Sequence, residues 1–215
     1  MKKIRIAILC LLLLFFVIGI YFYFFSPSIP ERMASHWNVR GHVDGYIPKF
    51  WGLFLLPLLS LVIFLLFIIL PYIYPLRDNI EKFRKYYDGF MILTIAFLFY
   101  VYLLIILWNT GVRISKYQLL APAFGALFYY SGVLMEKAER NWLVGIRTAW
   151  TLSSDEVWRK TNKLGGKLFK LAGCIAVIGI LFPRYAFFFT FVPAALVIIC
   201  TSVYSFIAYQ KEMKQ

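Results

Sequence analysis

The sequence predicts an all-α membrane protein. Six transmembrane helices form one bundle with both termini cytoplasmic, an ordered outer loop and a short amphipathic inner helix. Three observations carry this expectation. Of the 215 residues, 62% are hydrophobic and 15% charged, whereas soluble domains run near half apolar and a quarter charged. The apolar excess is gathered into runs of about the ~20 residues that cross a hydrocarbon core. The Lys and Arg residues alternate between crowded and sparse connections. A net charge of +13 invites a nucleic-acid reading. The basic residues flank apolar runs, however, so membrane orientation accounts for them and no nucleic-acid partner is expected.

The first run, Ile6–Phe25, follows the basic start Met1-Lys2-Lys3-Ile4-Arg5. It is longer than the ~7–15 residues of a signal h-region, and no small-x-small site follows, so an uncleaved span is expected. The later spans are Phe50–Tyr74, Gly89–Asn109, Tyr117–Met135, Leu168–Phe182 and Tyr185–Tyr209. The fifth is short, and Lys167 and Lys170 extend it by snorkelling. Cys10, Cys174 and Cys200 each lie within an apolar run without a CxxC partner. Packing cysteines, rather than a disulfide or zinc framework, are expected.

Orientation follows from the basic residues. Seventeen of the 23 fall in the termini and in the connections 77–85 and 137–170. Arg32, Arg40, Lys49, Arg113, Lys116 and Arg184 fall on the other side. The positive-inside rule therefore places both termini in the cytoplasm. Tyr21, Tyr23, Trp51 and Trp108 then form an outer aromatic belt, with Tyr72, Tyr74, Tyr86 and Tyr87 an inner one.

Two connections exceed simple turns. In the inner one, Ser153-Ser154-Asp155-Glu156 reads as a capping box with Ser153 as the cap. A short helix is expected from there to the Gly165-Gly166 pair. Its apolar face is Val157, Thr161, Leu164 and Leu168, and its basic stripe is Lys160, Lys163, Lys167 and Lys170. Such a helix lies along the inner leaflet with Trp158 as anchor. The preceding stretch, Gly145 to Leu152, sets Trp150 and Arg147 between the flanking Trp142 and Trp158. Arg stacks on indole and forks onto carbonyls or carboxylates. Composition leaves open whether this is a partner-binding site or an interfacial loop with Arg147 on lipid phosphate.

The run Glu139-x-Asn141-x-x-x-Gly145-Ile146-Arg147-Thr148-x-Trp150-Thr151-Leu152, followed by Glu156-Val157-Trp158, resembles the SdpI family. These are bacterial multi-span proteins associated with immunity to a secreted toxic peptide. The resemblance runs from about Glu136 into the fifth span. It implies a functional motif made of Glu139, Asn141, Gly145, Arg147, Thr148, Trp150, Thr151 and Trp158. Family members commonly have proline where this chain has Ala149, and proline biases the residue before it toward extended backbone.

The outer loop, Ser26–Lys49, carries Ile29-Pro30, His36-Trp37-Asn38, Gly41, Asp44-Gly45-Tyr46 and Pro48-Lys49. This pattern resembles an extracytoplasmic module of uncharacterised function, over about residues 25–74, often found before SdpI-type regions. Asn38-Val39-Arg40-Gly41 suits a type I turn. Strands pairing Trp37 with His42, His36 with Val43 and Ser35 with Asp44 put His36 on the face opposite His42 and Asp44. That register argues against a metal held by these three. The residues singled out here are His36, Trp37, Asn38, Gly41, Asp44 and Lys49.

The expected organisation is a two-span region, 1–88, and a four-span region, 89–215. Three function classes compete. A non-enzymatic immunity or sensing protein would meet a secreted peptide outside and a cytoplasmic regulatory partner inside, and the resemblance favours it. A transporter would carry a neutral or lipophilic substrate, because the spans as drawn hold no interior ionisable group apart from Lys170 near an end. A membrane enzyme would use the outer His/Asp loop, but no nucleophile–base–orienter set is present in the sequence. No cofactor is implied, and the lipid bilayer is an expected partner.

Overall fold

The computed structural model describes residues 2–73, 76–112 and 116–214. Tyr74 and Arg113, assigned above to the inner belt and an outer connection, lie outside the described residues. The elements are α1 (Lys2–Phe24), β1 (Arg32–Trp37), β2 (Val43–Pro48), α2 (Lys49–Ile73), α3 (Arg77–Lys82), α4 (Arg84–Asn109), α5 (Lys116–Lys137), α6 (Ala149–Ser153), α7 (Asp155–Ile178) and α8 (Ala186–Glu212). A 3-10 turn, Gly179–Leu181, extends α7. Among the described residues, six helices are long and apolar enough to cross a membrane. The β-hairpin caps one end of the bundle; the polar loop 138–154 lies at the other, where Ser154 meets Glu212 near the end of α8 and Arg5 near the start of α1 meets Tyr72 of α2.

The bundle exposes apolar residues around its girth, among them Leu13, Leu65, Leu196 and Ile199. Water would penalise that surface, whereas lipid tails are as apolar as leucine. Two cores lie inside. Phe15, Leu53, Ile95 and Tyr102 join α1, α2 and α4 beneath Met33 of the hairpin. Phe169, Ala172, Ala194 and Val197 join α7 to α8. A third cluster at the loop end, with Ile80, Phe83, Tyr87, Leu134 and Trp158, ties the halves together. Cys10, Cys174 and Cys200 are exposed on the bundle surface rather than packed inside.

α5 and α7 are antiparallel and almost in backbone contact. A Cβ on Gly132 would stand 2.4 Å from the Gly166 carbonyl oxygen, and one on Gly173 would stand 2.6 Å from that of Gly125. Small residues permit this approach, which is how helices associate without a hydrophobic drive. Lys170 reaches Glu136 across the same interface at 2.8 Å.

This packing explains the main departure from the expected inner helix. There is no break at Gly165-Gly166: α7 runs unbroken from Asp155 to Ile178. The glycine pair marks the crossing with α5, not a helix end. The cap is Ser154, whose Oγ accepts the Val157 N–H at 3.2 Å, one residue later than expected. Trp158 is not a leaflet anchor. It is 2% exposed, and its indole N–H donates to the Ala138 carbonyl at 2.8 Å. Tyr87 likewise leaves the aromatic belt for the core. Pro71 in α2 has no N–H to give the Phe67 carbonyl four residues earlier, and the Tyr87 hydroxyl donates to that carbonyl at 3.1 Å.

The hairpin forms with a different register. The Gly41 N–H donates to the Asn38 carbonyl at 2.8 Å, closing the expected turn, and Gly41 adopts φ +80°. That left-handed residue extends the turn by one position, as in hairpins with a glycine bulge. The Asn38 N–H therefore bonds the His42 carbonyl, and Trp37 pairs with Val43 and His36 with Gly45. Irregularities follow between Ala34 and His36 and between His36 and Trp37. A one-residue slip exchanges faces. His36 and Asp44 are brought together, with Nδ1 and Oδ1 2.5 Å apart, contrary to the expected separation.

Candidate functional site

Loop 138–154 builds itself from buried polar side chains. Asn141 is fully buried. Its Oδ1 accepts the N–H groups of Leu143 and Val144 at 2.7 and 2.8 Å, and its Nδ2 donates to the Glu139 carbonyl. The chain then turns at Gly145, φ +110°. A Cβ there would lie 2.6 Å from Asn162 Oδ1, so both conformation and space require glycine. Asn162 Oδ1 accepts the next N–H, that of Ile146, at 2.7 Å.

Thr148 and Thr151 cap α6 reciprocally. The Thr151 N–H donates to Thr148 Oγ1, and the Thr148 N–H donates to Thr151 Oγ1. This is the capping-box arrangement with threonine in place of the usual glutamate. Thr151 Oγ1 also donates to the Ile146 carbonyl at 2.9 Å, and the Thr148 hydroxyl donates to Ser205 of α8 at 3.0 Å. Thr148 is extended, φ −107° and ψ 166°. The cap thus imposes the geometry that a proline at position 149 would otherwise favour. Trp150 packs edge-on against Phe206, ring centres 5.1 Å apart. Arg140 bridges the loop's ends, donating to the Leu152 carbonyl and pairing with Asp155 at 2.7 Å.

The motif therefore divides by exposure. Asn141, Thr151 and Trp158 are buried braces. Glu139 and Arg147 remain exposed, as does Trp142 beside the motif. The Arg147 guanidinium donates from Nη1 to the Trp142 carbonyl, which clamps the bulge between them. Sequence reasoning missed Asn162, although an asparagine set between Thr161 and Lys163 on a helix that buries this face is a visible irregularity.

At the opposite end, the hairpin is pinned to the bundle. Asn109 accepts the Ala34 N–H at 2.8 Å and donates to its carbonyl at 3.1 Å. The Tyr117 hydroxyl lies 2.8 Å from both the Trp37 and the Asn38 carbonyls. Trp37 packs edge-on to Trp108, and Lys49 sits over the Tyr23 ring. His42 is exposed. Among the described residues no three His, Cys, Asp or Glu side chains are grouped to hold a metal.

Fold and loop together define a six-span helical membrane protein with a braced polar loop at one end and a pinned hairpin at the other. Residues 137–205 match the model of the SdpI/YfhL protein family. Residues 10–61 match a domain of unknown function, DUF1648. The chain is also 27% identical to Immunity protein SdpI of Bacillus subtilis (strain 168), over 98% of each chain. No solved structure matches. The family match continues through α7 into α8, beyond the fifth span at which the motif resemblance stops.

Proposed function

We propose that this is a non-enzymatic immunity protein that protects its cell from a secreted, membrane-active peptide. The hairpin end faces outward, and both termini and loop 138–154 face the cytoplasm. This orientation rests on the seventeen basic residues gathered at the loop end and termini. Residues 1–88 supply the outward cap, and residues 89–215 carry the loop that meets a cytoplasmic regulatory partner.

One observation carries the reading. Similarity to an immunity protein extends over 98% of the chain, and the segment matched to the SdpI/YfhL model opens on a loop whose buried members hold Arg147 and Trp142 exposed. A loop serving only as a connector has no use for a buried asparagine brace and a reciprocal threonine cap. The test is survival. Cells with and without the gene are challenged with a panel of membrane-active peptides. Selective protection against at least one supports the reading, and equal killing across the panel rejects it.

A further inference from the structure

A groove of about 600 Å³ lies beneath the hairpin, within the ~300–1,000 Å³ usual for ligand sites. Its walls are aromatic. Phe124 of α5 meets Phe191 of α8 edge-on at 5.1 Å, and Tyr117 meets Phe187 at 5.5 Å. The hairpin turn roofs it, held by the Tyr117 hydroxyl on two carbonyls and by Asn109 on Ala34. The groove is thus formed before any ligand arrives. Phe187 and Phe191 belong to the SdpI/YfhL region, whereas the roof belongs to the segment matched to the domain of unknown function. The site lies where residues of both matched segments meet, with Tyr117 and Phe124 of α5 between them.

We propose that this groove binds an apolar side chain of a cationic amphipathic peptide, with the peptide's adjacent Lys or Arg on Asp44. The proposal rests on the protective reading above and names its peptide site. Polarity is concentrated at the mouth, where His36 and Asp44 touch and both side chains remain exposed, 72% and 42%. His36 already occupies Asp44 Oδ1, and the second carboxylate oxygen calls for a donor or cation. The walls call for an apolar or aromatic group, and their ring faces attract a nearby cation. Membrane-active amphipathic peptides join these two properties, with Lys or Arg beside Trp, Phe or Leu. An anionic phospholipid fits less well, because its phosphate would stand beside the same carboxylate with no cation of its own. Arg40 is at the turn but does not line the groove.

The test uses the full chain in phosphatidylcholine nanodiscs and two fluorescein-labelled peptides. One is a short Leu/Lys helix with a single Trp; the other is its Glu-for-Lys counterpart. Anisotropy should report binding of the Lys peptide above that of empty nanodiscs, and none of the Glu peptide. Asp44→Asn should weaken it about ten-fold or more, the loss of one charged hydrogen bond. Val39→Trp, at an exposed roof position, should block binding by filling the groove without disturbing the core. Lys163→Ala, at the far end, should bind normally. Wild-type binding by both Asp44→Asn and Val39→Trp overturns the groove, as does equal binding of the two peptides or of empty nanodiscs; either result leaves the protective reading standing. Binding in the groove without survival in the peptide challenge rejects the protective reading alone.

Discussion

Asn162 of α7 holds the backbone of Ile146: its Oδ1 accepts the Ile146 N–H at 2.7 Å, and its Nδ2 donates to the Trp158 carbonyl at 3.1 Å. Asn162 is 2% exposed, so water cannot replace the bond. This contact fastens the loop to a membrane-spanning helix and sets where Arg147, the next residue, emerges.

Asn162→Ala leaves the buried Ile146 N–H unpaired, at a cost of ~1–3 kcal/mol. The loop should loosen while all six helices still insert, because insertion depends on hydropathy. Hydrogen exchange at Ile146 should accelerate by ten-fold or more relative to the parent protein. An unchanged exchange rate would remove Asn162 as the brace.

Ala149 occupies the first position of α6, and Thr148 before it is extended. Proline is suited to that helical position, and extended backbone is what it asks of its predecessor. Ala149→Pro should therefore fold normally and gain ~0.4–1 kcal/mol by restricting the unfolded chain. A fall in thermal stability in detergent would show that the cap geometry differs from the one described.

The α5–α7 crossing has no room for side chains at its glycines. Gly132→Leu should destabilise the bundle by ~1–3 kcal/mol or more through overpacking against the Gly166 carbonyl. Ala126→Leu, on the exposed face of the same helix, is the control and should be tolerated. Equal thermal stabilities of the two variants would contradict the close crossing.

Hydropathy made the spans legible, because six long apolar runs have no other low-energy arrangement. The turn at Asn38–Gly41 was legible from its residue types. The register was not, because a glycine at φ +80° adds a position that composition does not announce. The Gly165-Gly166 pair has the same sequence signature as a helix end, and only the facing Gly132 makes it a crossing. The motif residues were named as a group from the resemblance alone. Their division into the buried Asn141, Thr151 and Trp158 and the exposed Glu139 and Arg147 depends on long-range partners such as Ala138 and Asn162. Local spacing does not encode such partners.

Orientation is tested by cysteine labelling in a background lacking Cys10, Cys174 and Cys200. Asn38→Cys should label from outside intact cells and Asp155→Cys only after permeabilisation, given the positive-inside bias. The reverse pattern would invert the proposed topology.

The central claim is that the braced loop presents Arg147 for protection. Arg147 clamps the Trp142 carbonyl and stays exposed, and lysine lacks its planar, multi-donor group. The most direct measurement is survival of peptide-challenged cells expressing Arg147→Lys, with the amount of protein in the membrane quantified alongside. The account predicts loss of protection at undiminished membrane abundance, with Arg147→Ala behaving alike and Lys163→Ala remaining protective. Full protection by Arg147→Lys would contradict it and reduce Arg147 to a point charge at the membrane surface.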